Sequence, residues 1–298
     1  MRRHGKWIPC EALRPYVASF DLRDDRLGTS RIFNPLPARS DCFLQFHFKQ
    51  PYLVVNSSTG ETHSSPSCIV VGPHTRRAED LVWTGDLKAF TIRFSPVGFQ
   101  SLFGIPAEVI RNLATSAELV LGPKILSLRS RLAEAHDDQM HTIAEDFLLT
   151  LLACQSARGG AAAVLRLTAA IRSSEKRSTL DQVALQHNLS LRQIERLFKE
   201  FVGVSPKVYE GLHRAKRAMA LRRAHPEFEW SSIAPASGYF DQAHMIREFR
   251  NQNGSTPARF ALAGQEAEQF RSRSFRSSSA SGMSALYNSS AAHLDTVR

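Results

Sequence analysis

Arg192, Glu195, Arg196 and Lys199 stand at three- and four-residue steps, a spacing that puts them on one face of an α-helix. A basic, hydrogen-bonding face of this kind suits the DNA major groove. There an arginine can bond a guanine edge, and a long cation at the end of the helix can reach the phosphate backbone. Leu191, Ile194, Leu197, Phe198 and Phe201 recur at the same period and mark the opposite, buried face. A solvated helix of an all-α domain would carry the same pattern, so one such stretch does not decide the matter.

The elements around these residues do more. From Thr179 to Pro206 the sequence predicts two short helices joined by a tight turn. Thr179 with Gln182, and Ser190 with Gln193, have the spacing of capping boxes. Asn188 between them tolerates the left-handed turn conformation. The pattern then repeats. Ile233 to Pro257 aligns with Val183 to Pro206, with Gly238 for Asn188, Asp241 for Ser190, Arg247 for Arg196, and Arg250 for Lys199. Gln242, Ala243, Ile246 and Arg247 thus match Leu191, Arg192, Glu195 and Arg196. Pro206 to Ala224 is the expected connecting helix. Three departures predict a weaker second unit. Pro235 stands inside its first helix, Glu229 replaces the capping hydroxyl so that the helix is expected to start late at a Ser232 cap, and Glu248 and Gln252 replace Leu197 and Phe201.

With these residues in view, LSLRQIERLFKEFVGVSPKVY, LHRAKRAMAL and IAPASGYFDQAHMIREFRNQNGSTPARF resemble the DNA-binding domain of the AraC/XylS family of transcription regulators, over roughly Ala163 to Ala263. The resemblance implies two helix-turn-helix units reading successive major grooves of double-stranded DNA. Base-reading residues carried over are Arg192, Glu195, Arg196, Gln242, Ala243, Ile246 and Arg247; Lys199 and Arg250 fall to phosphate. It also implies a small-molecule effector, a homodimer and an RNA polymerase contact as further partners, without a membrane.

Composition agrees with a phosphate-binding module. Of the formal net charge of +10, residues 161–263 carry 16 Lys+Arg against 9 Asp+Glu, whereas residues 1–160 carry 18 against 16. The four cysteines, Cys10, Cys42, Cys68 and Cys154, have neither disulfide nor zinc spacing, and three sit in apolar runs expected to be buried. The N-terminus lacks an apolar signal core and no run reaches membrane-spanning length, so a cytoplasmic protein is expected.

Residues 1 to about 100 predict a small β-sandwich or barrel. Its clearest strands are 42–48, 52–55, 68–72 and 89–94, with Phe90, Ile92 and Phe94 facing in. LRPYVASF, VGPHTR and FTIRFSPVGFQSLFGIP resemble the cupin-like sensor domains of the same family. Gln45, His47 and Arg93 would line a cavity if their sheet face is enclosed, and the solvent side of a sheet otherwise. His74 with Arg76 and Arg77 would meet an acidic effector or form a solvated turn. The histidines stand singly, so neither metal nor cofactor is expected, and no catalytic constellation is found. Helical periodicity from Gly122 onward suits either a dimer contact or packing on the β-domain.

The expected organisation is therefore α+β. Residues 1–157 form a sensor or dimerisation domain, 158–162 a linker, 163–263 the double helix-turn-helix domain, and 264–298 a disordered Ser-rich tail. The function expected is that of a regulator, not an enzyme. The alternative is a repair alkyltransferase with an accessory DNA-binding module, which requires an activated cysteine.

Overall fold

The computed structural model describes residues 3–26, 28, 31–155, 159–173 and 180–265. Alternating and apolar segments in the first half fold as β1 (Arg3–Trp7), β2 (Val17–Arg26), β3 (Ile32–Pro35), β4 (Phe43–His47) and β5 (Leu53–Asn56). They continue as β6 (Thr62–Ser64), β7 (Cys68–Val71), β8 (Glu79–Trp83), β9 (Asp86–Phe94) and β10 (Ala114–Ser116). One sheet has the order β1-β2-β9-β4-β7-β10 and the second β3-β8-β5-β6, with antiparallel pairing throughout.

Among the described residues, ten α-helices follow β9 or interleave with what comes after it: α1 (Gly98–Phe103), α2 (Ala117–Leu121), α3 (Lys124–Glu134), α4 (Met140–Ala153) and α5 (Ala161–Ser173). The rest are α6 (Leu180–Gln186), α7 (Leu191–Val202), α8 (Pro206–Ala224), α9 (Trp230–Ala236) and α10 (Gln242–Asn253). Among the described residues no helix is long and apolar enough to cross a membrane.

The six-stranded sheet is covered on both faces, and this sets where its side chains go. Phe90, Ile92 and Phe94 face a core shared with α1 to α4, as the alternation predicts. Ile125, Leu128 and Leu132 of α3 and Met140, Ala144 and Leu148 of α4 are buried in that same core. The helical stretch after Gly122 therefore packs on the β-domain. The opposite face of β9 is not open to solvent. Leu87 and Ala89 pack with Ile32 and Trp83 of the second sheet and with Tyr52 just before β5, and Thr91 is buried too.

Two expectations are corrected here. Cys154, placed by its apolar neighbours in a buried run, is exposed at the C-cap of α4, one residue past its end at Ala153. His74 is not in a solvated turn: it is buried, its backbone pairs with Arg39, and its Nδ1 lies 2.9 Å from the Gly72 carbonyl. Thr179, Arg158 and the tail beyond residue 265 lie outside the described residues.

Candidate nucleic-acid interface

Local chemistry starts α7. The Ser190 hydroxyl accepts the Gln193 N–H at 3.2 Å and Gln193 Oε1 accepts the Ser190 N–H at 2.7 Å, closing the capping box. Asn188 just before it has φ +53°, the left-handed turn its side chain tolerates. Ser190→Ala is expected to cost about 1 kcal/mol, readable as a lower urea midpoint with unchanged slope.

Ile194, Leu197, Phe198 and Phe201 are buried, whereas Arg192, Glu195, Arg196 and Lys199 are exposed. The buried set packs with Val183 and Ala184 of α6 and Val164 and Leu167 of α5. The polar face is thus presented by a helix that its own core holds from behind.

The second unit repeats the construction with different parts. Gly238 has φ +93° at the turn, and the Asp241 carboxylate accepts the His244 N–H at 2.6 Å. A carboxylate at this end also complements the helix dipole. Gln242, Ala243, Arg247 and Arg250 are exposed, and Ile246 is half-buried. Met245 and Phe249 hold the helix from inside.

The expectation of a late-starting α9 is corrected. The helix begins at Trp230 with Glu229 at its cap position, not at Ser232, although no side chain caps it. Pro235 is accommodated near its C-terminal end, on the exposed side. The turn after it is closed by the Ser237 hydroxyl, which donates to the Ile233 carbonyl at 2.6 Å. Glu248 also has a reason the alignment with Leu197 hides. It accepts from Arg214 of α8 at 2.9 and 3.0 Å, and Arg214 in turn reaches Glu210 at 2.8 Å. An ion pair ties α10 to α8 where the first unit uses a leucine.

Both α7 and α10 end against the β-domain. Gly203 caps α7 with φ +82°, and a Cβ there would stand 2.7 Å from Pro73 Cγ and 2.8 Å from the Ala107 carbonyl oxygen. Gln100 donates to Glu200 at 3.3 Å beside it. At the end of α10 the Arg77 N–H donates to the Gln252 carbonyl at 2.8 Å, and the Ala38 N–H to Asn253 Oδ1 at 2.9 Å. Sequence reasoning missed these contacts, since each joins residues at least 96 positions apart with no local signal. Phe240, the one residue by which the second unit exceeds the first, is 89% exposed at the entry to α10.

The candidate effector residues divide. Gln45 and Arg93 line a cavity between the two sheets and α8; His47 and His74 are not part of its wall. Gln45 donates to Thr91 Oγ1 at 2.7 Å and accepts from the Tyr52 hydroxyl. Arg93 pairs with Asp21 at 2.7 Å. His47 is buried beside Tyr52, and neither of its ring nitrogens has a hydrogen-bond partner among the described residues. Burial, with Arg129 nearby, lowers its pKa to about 4; burial and Arg39 do the same for His74. Both are therefore neutral near pH 7.

Cys42 and Cys68 lack activation. Burial pushes the Cys68 thiol up to about 12, and burial together with Asp41 raises that of Cys42 further. Neither is the thiolate that alkyl transfer needs.

A family model described as a helix-turn-helix domain matches residues 183–262, the span from α6 through α10. The chain carries an AraC-type helix-turn-helix domain over those residues. No curated protein matches the chain. Among solved structures it is similar to ToxT from Vibrio cholerae O395, at 14% identity over 82% of this chain and 97% of that one, with a TM-score of 0.43. It is also similar to unsaturated fatty acid bound ToxT from V. cholerae strain SCE256, at 12% identity over 82% and 94%, with a TM-score of 0.42. The AraC-like transcriptional activator CuxR is similar at 13% identity over 75% and 87%, with a TM-score of 0.23. In the AraC-type domain of this chain, Lys199 and Arg250 occupy the same position near the ends of α7 and α10. Neutralising either is expected to weaken binding to all DNA sequences alike and to flatten the log–log salt dependence by about one unit. A salt titration with unrelated duplexes checks this; altered base preference at an unchanged slope would assign the two cations to bases.

Proposed function

We propose that the chain is a sequence-specific DNA-binding transcription regulator that inserts α7 and α10 into successive major grooves. The observation carrying this reading is the paired construction of the two helices. Each is capped at its N-terminus by an oxygen side chain and ended by a left-handed glycine, and each exposes an arginine and a second cation at matching positions. In this reading Arg192, Glu195 and Arg196 of α7, and Gln242, Ala243, Ile246 and Arg247 of α10, read bases. The β-domain supplies control through a small effector, and a second copy of the chain and RNA polymerase are its protein partners. Neither Cys42 nor Cys68 offers the activated thiol an alkyltransferase would need.

Selection of DNA from a randomised pool by the full-length chain tests the reading. The expected product is a two-part site with its halves about one helical turn apart, roughly 34–36 Å. Base preference is expected to be sharper under α7 than under α10, because half-buried Ile246 can offer only apolar contact to a thymine methyl where Glu195 presents a carboxylate. A pool that gains no consensus would overturn the reading.

A further inference from the structure

The cavity that Gln45 and Arg93 face has a volume of about 320 Å³ and lies where the two sheets meet α8. From α8 it takes Leu212, Ala215, Lys216, Met219, Ala220 and Arg223, the spacing of one continuous helix face. Phe43, Tyr52 and Trp83 give it aromatic walls on the sheet side. An enclosure of several hundred cubic ångström with apolar walls and few polar groups is the usual form of a small-molecule site.

Its charges are unequal. Arg39, Arg93, Lys216 and Arg223 line it against the carboxylates Asp41 and Glu79. Arg93 is engaged by Asp21 from the other side. Lys216 is held less firmly, with Nζ 3.3 and 3.4 Å from the two Asp41 oxygens. Those distances exceed the roughly 2.7–2.9 Å of a well-made ammonium–carboxylate bond.

We propose that this cavity binds a small molecule with an aromatic or apolar body and a single anionic end, and that the anion takes Lys216 over from Asp41. A cationic ligand would face four cations, and a neutral one would gain area without a partner for its polar end. The exchange matters because Lys216 belongs to the helix that joins the two DNA-reading units, and the same cavity is lined by Asn253 at the end of α10. A ligand seated there touches both sheets, the connector and the second reading helix together. The inference rests on the regulator reading for the effect of binding on DNA, but not for binding itself. A ligand shifts DNA affinity only by the difference in its own affinity for the two arrangements.

The test uses the full-length chain without DNA, titrated with anilinonaphthalene sulfonate, a fluorescent aromatic anion. Saturable binding is expected, displaced by naphthoate at concentrations about tenfold lower than by naphthalenemethanol or naphthalenemethylamine. Lys216→Met is expected to erase that preference and Lys216→Arg to keep it. Ala220→Trp, which fills the cavity from α8, is expected to abolish binding. Displacement by the alcohol as readily as by the acid, or unchanged binding in Ala220→Trp, would overturn the site. Naphthoate is then added to the chain bound to its selected DNA. A change in DNA affinity that Ala220→Trp removes supports the effector role, and binding without any change overturns that role alone. Failure to select DNA at all would refute the regulator reading and leave the ligand result standing.

Discussion

Gly203→Val is expected to destabilise the chain by about 2–5 kcal/mol, against about 1–2 kcal/mol for Gly254→Val. The two glycines hold the same office, ending α7 and α10 at φ +82° and +70°. A side chain at either is strained by the left-handed backbone. Only at Gly203 would it also meet another part of the fold, Pro73 Cγ and the Ala107 carbonyl; at Gly254 nothing lies within 4 Å. The difference between the two variants therefore measures how tightly the end of α7 is seated on the β-domain. Urea unfolding of the two side by side reads it directly, and equal losses would mean that the seat is loose.

Arg196→Ala is expected to lower affinity for the selected site by about tenfold to a hundredfold, the 1–3 kcal/mol of a well-placed base contact, with little change on unrelated DNA. Arg196 is exposed on the solvent side of α7, and its neighbours Leu197 and Phe198 are buried on the inner side. Its truncation leaves the domain's core untouched, so the urea midpoint should hold. Parallel titrations with selected and scrambled duplexes check the prediction. Equal losses on both would move Arg196 from base to backbone contact.

The helices α7 and α10 were legible in the sequence because their signals are local. A cap needs residues three positions apart, a buried face needs a period, and Asn188 and Gly238 announce their turns by residue type. The repeat made the assignment firm by giving every feature a second instance. The sequence also placed Phe90, Ile92 and Phe94 on one side of β9. It could not show that the other side is covered as well, since that depends on where a second sheet docks. The same reason hid the Glu248–Arg214 pair, which spans 34 positions, and the burial of His74 against Arg39. The late start expected for α9 failed differently. A missing side-chain cap was read as a missing turn, but α9 begins at Trp230 all the same, with the Ser232 and Ile233 amides bonded to the carbonyl of Glu229 at its cap position. α8 carries more than its pattern announced. It joins the two units, ties down α10 through Arg214, and walls the cavity.

Val97 belongs by sequence to the β-domain, yet it is fully buried among Val164, Phe198, Phe201 and the other apolar residues behind α7. The glycine pair at 159–160, the natural place to cut the chain by composition, therefore divides the connection but not the core. A fragment beginning there would leave the α7 cluster with an unfilled face. A chimera joining these reading helices to another regulator's sensor would have to supply a methyl-bearing residue at the same spot. The unit that recombination could exchange intact is larger than the DNA-reading half alone.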